Sequence, residues 1–257
     1  MASTVQRRRQ LARQRWEKQQ ARRAAAAARV RRRRKVLAVL AVAVVVVGAV
    51  AASLLVWPRW LSDDTTTAGP EDPPPGECFY AATGVADVDL GLPPSAPVAA
   101  TTATLTLDGQ PVTVELLSDA APCTVSSLIH LAGNDYFDGT SCHRLTTSAT
   151  LRVLQCGDPA GDGTGGPGYE FSTENTAGAT YPAGTVAMAR GDDPDSNGSQ
   201  FFLVYEDSEL PPDFTVFGQI TAGLEVVAGI AQRGTVDGVE DGPPAQPVTL
   251  DDLVTAA

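Results

Sequence analysis

Lysine is absent from residues 36 to 257, where five arginines stand against 29 acidic residues. A net charge of −24 over that stretch excludes nucleic-acid binding, because nothing there could neutralise a run of phosphates. Histidine is almost as scarce: His130 and His143 are the only two. The four cysteines, Cys78, Cys123, Cys142 and Cys156, show no C-x-x-C spacing, so neither a zinc site nor any other metal centre is expected. Cofactor fingerprints are missing in substance if not in form. GDGTGG at 161–166 satisfies G-x-G-x-x-G, yet Pro167 and Gly168 follow where a phosphate-binding helix would have to start. DPDSNG at 193–198 opens like a calcium loop, but Val204 occupies its twelfth position in place of a bidentate Glu. No cofactor is expected.

What is present is sharply partitioned. Residues 1–35 hold 14 of the 19 Lys and Arg and one acid, Glu17, making a basic arm of net charge +13. Residues 36–57, VLAVLAVAVVVVGAVAASLLVW, follow with no charge in 22 residues, enough for a helix to cross a hydrocarbon layer of about 30 Å. RRRRK immediately before the run and Trp57 and Trp60 at its far end orient it, with the N-terminus cytoplasmic and everything later outside the plasma membrane. The rival reading is a cleaved signal peptide, for which Ala49-Val50-Ala51 supplies a small-residue site. Residues 58–97 are rich in Pro and acids, and read as a tether to a folded domain at 98–257.

Within that domain the apolar residues alternate in short runs. Leu105 and Leu107, then Asp108-Gly109, then Val112, Val114 and Leu116 form a hairpin signature. Runs at 142–146, 153–155, 185–189, 201–205, 215–220 and 247–250 complete eight candidate strands. Helical spacing appears twice, at Val125, Leu128, Ile129 and Ala132 after Pro122, and at Leu224, Val227, Ile230 and Ala231. The expected fold is mainly β: a closed eight-stranded antiparallel barrel capped by two helices and preceded by one transmembrane helix. Cysteines outside a membrane favour disulfides over thiols. Cys142 and Cys156 sit on consecutive strand candidates and are expected to pair, which leaves Cys78 with Cys123.

The stretch SCHRLTTS at 141–148 sets a histidine beside an arginine in this acidic background. Regular alternation over 142–146 would put Arg144 on one face with Cys142 and Thr146, and His143 on the other. Alone, that describes a surface ion pair. The order of motifs around it says more: CHRL, VLQCGDP, GTGGPGYEF, GTVAMAR, SNGSQFFLVY and TVFGQI follow one another from 142 to 220. This series resembles the cyclophilin family of peptidyl-prolyl isomerases over roughly residues 100–254, and its anchored members in overall layout. The resemblance implies an eight-stranded barrel with two helices and a site for proline-containing polypeptides. It makes Arg144 the catalytic residue and Phe202 the floor of the proline pocket, with Val153 and Leu210 as walls and Phe214 at the rim. Gln155 corresponds to the glutamine that bonds substrate and steadies the arginine. Gln200, Ala189 and Arg190 line the adjoining groove, and His143 joins the substrate-binding set. Departures are visible too. Ten residues separate Arg144 from Gln155 where the family has seven, so its pocket phenylalanine falls nearest Leu151 or Arg152, and Glu209 or Leu210 stands where many relatives carry tryptophan. The alternative reading is a weakly catalytic module that binds Pro-containing segments through the same groove.

Overall fold

The computed structural model describes residues 74, 76–84, 86, 88 and 90–257. The basic arm at 1–35, the apolar run at 36–57 and most of the proposed tether lie outside the described residues. Among the described residues no helix is long and apolar enough to cross a membrane.

In chain order the strands are β1 (Ala81–Ala82), β2 (Thr102–Leu107), β3 (Gln110–Leu116), β4 (Thr140–Ser141), β5 (Arg144–Thr146) and β6 (Val153–Cys156). They continue with β7 (Tyr169–Glu170), β8 (Thr185–Met188), β9 (Phe201–Val204), β10 (Val216–Ala222), β11 (Asp241–Gly242) and β12 (Thr249–Ala256). The helices are α1 (Pro122–Ala132) and α2 (Leu224–Gln232). β1 pairs with β7, and the other ten strands make one sheet in the order β11-β5-β6-β9-β8-β10-β3-β2-β12-β4. All of its ladders are antiparallel. β4 closes one end of that order and β5 stands second from the other, although only Cys142 and His143 separate them in the chain. The sheet therefore curls until its margins approach, and a bridge between Ser141 and Asp158 spans them. Inside the curl lies one apolar core fed by β2, β3, β5, β6, β8, β9, β10, β12 and both helices.

Local sequence accounts for most of these elements. Asp108 and Gly109 both take positive φ, 48° and 75°, as a two-residue turn compatible with strand twist requires, so β2 and β3 form the expected hairpin. Pro122 occupies the first turn of α1, where a missing N–H costs nothing, and Gly133 caps the other end. The first-turn N–H groups of Cys123 and Thr124, which have no partner within the helix, donate to the Glu174 carboxylate, which arrives from another part of the chain. Gly157, at φ 84°, turns the chain out of β6 where a Cβ would run into the Ser199 carbonyl.

Three expectations change. The closed eight-stranded barrel is instead one curled sheet of ten strands beside a separate two-stranded pair, because two-residue strands such as β4 and β11 join it with no apolar alternation long enough to show in sequence. The run at 142–146 is not one strand, because Cys142 and His143 fall between β4 and β5. Cys142 consequently packs in the interior with Leu145, Leu154 and Cys156, while Arg144 faces out; the shared face expected for Cys142 and Arg144 does not exist. The last part of the stretch read as tether also joins the domain: Cys78 and Tyr80 are buried and β1 pairs with β7. Both expected disulfides are formed, Cys78–Cys123 and Cys142–Cys156.

The first bridge pins the incoming chain to α1, and the second ties the link between β4 and β5 to β6. Replacing either pair by serine should lower stability by about 2–4 kcal/mol in urea unfolding. Peptide mapping without reductant should recover both bridges, and four free thiols in purified protein would overturn the assignment.

Candidate active site

The sheet has a second apolar surface on its outer side. Along β6, β8 and β9 the side chains alternate strictly: Leu154, Cys156, Val186, Met188, Phe201 and Leu203 enter the main core. Val153, Ala187, Phe202 and Val204 form a separate buried cluster with Tyr181. Leu151, Ala179, Ala189, Leu210, Phe214 and Val216 pack against that cluster and are only partly buried, so the cluster reaches solvent at its margin and is the candidate pocket.

Pairing carries the pocket into a polar row. Arg144 is opposite Gln155, Gln155 is opposite Phe202, Phe202 is opposite Ala187, and Ala187 is opposite Val216. Directly paired residues point to the same side, so the guanidinium, the amide and the aromatic ring stand side by side across three strands. Arg144 Nη1 donates to Gln155 Oε1 at 3.0 Å, Gln155 Nε2 to Gln200 Oε1 at 2.9 Å, and Gln200 Nε2 to the Gly165 carbonyl at 3.0 Å. Each amide accepts on one side and donates on the other, which fixes its orientation. On its other edge Arg144 donates from Nε and Nη2 to the two carboxylate oxygens of Asp241, both at 2.8 Å. Those bonds raise the arginine pKa above its ordinary value against the opposing effect of burial, and the same bonds lower that of Asp241.

The aromatic wall is equally specific. Phe202 meets Phe214 edge-on at 5.6 Å between centroids, and Tyr181 lies 6.3 Å from Phe202 and 6.1 Å from Phe214. The Tyr181 hydroxyl donates to the Phe214 carbonyl and accepts from the Phe214 N–H, both at 3.0 Å. Arg190 places its guanidinium carbon 5.5 Å from the Phe214 ring centroid and donates from Nε to the Asp213 carbonyl at 2.7 Å. Beside the pocket runs a groove of about 650 Å³ lined by Gln155, Ala189, Arg190, Gln200 and the glycine-rich segment at 163–168.

The structure thus brings together Arg144, Gln155, Phe202, Val153, Leu210 and Phe214 around the pocket, and Ala189, Arg190 and Gln200 along the groove. Leu151 fills the pocket side where the phenylalanine had no match, while Arg152 turns toward Glu206 at 3.9 Å. Leu210 packs inward and Glu209 is exposed. His143 lies outside this set. Its ring rests near Gly163, and burial lowers its pKa more than the nearby Asp158 charge raises it. The loop it touches is built on Asp158, whose carboxylate accepts the N–H groups of Ala160, Asp162 and Gly163. Sequence reasoning missed Asp241 and Tyr181. Neither carries a local signal: Asp241 reaches Arg144 across 97 residues, and Tyr181 reaches Phe214 across 33.

A family model described as cyclophilin type peptidyl-prolyl cis-trans isomerase/CLD matches residues 101–255. The chain belongs to the cyclophilin family. A probable peptidyl-prolyl cis-trans isomerase B of Mycobacterium leprae is 52% identical over 152 residues, covering 54% of this chain and 51% of the relative. The chain therefore spans about half the length of that relative. The peptidyl-prolyl cis-trans isomerase B of Bacillus subtilis is 42% identical over 120 residues, covering 46% of this chain and 81% of the relative. A Cryptosporidium parvum cyclophilin crystallised in the presence of the dipeptide Ala-Pro superposes with a TM-score of 0.53 at 24% identity, over 61% of this chain and 99% of that one, which shows the cyclophilin fold.

Because the Tyr181 hydroxyl holds both backbone groups of Phe214, Tyr181→Phe should cost about 1–2 kcal/mol of stability in urea unfolding. An unchanged midpoint would show that Phe214 is held by ring packing alone.

Proposed function

We propose that this cyclophilin is a peptidyl-prolyl cis-trans isomerase that accelerates X-Pro isomerisation in proteins outside the cytoplasmic membrane. The observation that carries this is the row of Arg144, Gln155 and Phe202, a polar donor standing directly beside a partly covered apolar cluster. Rotation about an X-Pro amide is slow because resonance sets a barrier of about 20 kcal/mol. A donor aimed at the prolyl nitrogen favours its pyramidal form, and the amide then loses double-bond character. Nothing else is required chemically, neither nucleophile nor proton shuttle.

Arg144 suits this task. Asp241 and Gln155 take three of the five guanidinium N–H groups, and one on each terminal nitrogen remains for substrate. One can hold the carbonyl before the proline and the other can address the nitrogen. Phe202, Val153, Leu210 and Phe214 would hold the ring so that the other side of the bond turns. A ~10⁵-fold acceleration needs about 7 kcal/mol of preferential transition-state stabilisation, to be divided between donor and pocket. The relative crystallised with Ala-Pro supports a proline-containing ligand.

The location rests on sequence. An uncharged run of 22 residues behind RRRRK favours a single-pass anchor with the domain outside, and the two disulfides fit an oxidising compartment. Protease added to intact cells should release a fragment from the tether, and the protein should stay with membranes through carbonate washing. A mature soluble form beginning near Ala52 would replace the anchor with a cleaved signal peptide.

The activity is tested on Arg144. Arg144→Lys keeps the charge but loses the planar fork, so it and Arg144→Ala should each lower kcat/KM for a short X-Pro peptide at least tenfold, about 1.4 kcal/mol, with unchanged thermal stability. Folded Arg144→Ala protein as fast as wild type would sink the mechanism. A wild type that binds the peptide without accelerating exchange would establish the binding-module reading instead.

A further inference from the structure

We infer that Asp241 is a positioning residue for Arg144, fixing the plane of its guanidinium so that the two remaining N–H groups face the pocket. This rests on the isomerase reading and adds a residue to it.

Four arginines are described, and each is paired with an acid, but the pairs differ in kind. Arg152, Arg190 and Arg233 approach Glu206, Asp213 and Asp108 at 3.9, 3.8 and 3.4 Å. Arg144 and Asp241 alone meet fork to fork, with two bonds of 2.8 Å. Stability is a poor reason for that geometry, since the two side chains are 39% and 54% exposed and solvent-exposed pairs contribute little. Orientation is a better one. A guanidinium held only by Gln155 at Nη1 could still turn as a rigid plane about its Cγ–Cδ and Cδ–Nε bonds and spread its donors over many directions. Bonds to Nε and Nη2 together stop both rotations, and the cost of ordering the catalytic group is met before substrate arrives.

The carboxylate is itself placed by backbone. β11 is two residues long and pairs with β5, Asp241 opposite Thr146 and Gly242 opposite Leu145. Asp241 thereby lies on the same side as Arg144 and two residue pairs along the ladder. The segment holding β11 is tied back by Thr147 N–H to the Glu240 carbonyl, by Val236 N–H to the Pro243 carbonyl and by Ala245 N–H to the Gly234 carbonyl. None of these bonds uses the Asp241 side chain, so its replacement should leave the segment in place.

The test compares wild type, Asp241→Ala and Asp241→Asn in the full-length protein, by NMR exchange on an X-Pro peptide and by the Nε–H signal of Arg144. Asp241→Ala should lower kcat about fivefold to tenfold with KM nearly unchanged, because the apolar pocket is intact. Asp241→Asn, which keeps one acceptor oxygen, should fall between. The Arg144 Nε–H should be protected from solvent exchange in wild type and lose that protection in Asp241→Ala. Wild-type kcat in Asp241→Ala, or a loss of kcat with Nε–H protection retained, would overturn the inference. If the wild type is itself inactive, the isomerase reading fails; loss of Nε–H protection in Asp241→Ala would then still show Asp241 orienting Arg144, and retained protection would refute it.

Discussion

Strict alternation of side chains along β6, β8 and β9 is the constraint on which the rest of this structure depends. These strands are apolar on both faces, and nearly every residue in them is buried. The inner set closes the core of the curled sheet. The outer set would be an exposed apolar patch unless something covered it, and Tyr181, Leu210 and Phe214 arrive from loops to do so. Their cover is incomplete. The part left uncovered is the candidate proline pocket, so the site is a consequence of burying two faces of one sheet with too few side chains on the second.

Register then decides the chemistry. A slip of one residue between β5 and β6 would send Arg144 into the core and Leu145 to the pocket edge. The Cys142–Cys156 bridge opposes such a slip from the interior side, next to Leu145 and Leu154, while the bond from Arg144 to Gln155 acts on the exterior. Covalent and polar restraints therefore grip the same strand pair from opposite faces. Beyond them the chain of donors from Arg144 through Gln155 and Gln200 to Gly165 joins the pocket to the groove. A peptide lying across both would meet one continuous polar edge.

Much of the fold is legible in short stretches. Asp108-Gly109 declares its hairpin, Pro122 and Gly133 bracket α1, and the Cys142–Cys156 pair joins segments consecutive in the chain even though Cys142 is not on a strand. The strand at 142–146 was misleading because alternation assumes unbroken pairing, and the chain leaves one margin of the sheet at Ser141 before joining the other at Arg144. The shift from the family pattern between Arg144 and Gln155 left Leu151 and Arg152 as equal candidates for the pocket; packing chose Leu151, since Arg152 finds a carboxylate at Glu206.

Sequence by itself determined which residue types could do the chemistry and in what order they come: an arginine with a glutamine eleven residues on, an aromatic pair after NGSQ, and an apolar alternation that forces two buried faces. These are properties of neighbours along the chain, where spacing and periodicity carry the information. Tertiary structure alone decided that Asp241 grips Arg144 and that Tyr181 holds Phe214. Both contacts arise where β11 and the loops fold back over the sheet, bringing together residues 97 and 33 positions apart. No local pattern marks such partners, because one acid or tyrosine in a loop looks like another in sequence until the curl of the sheet selects what it faces.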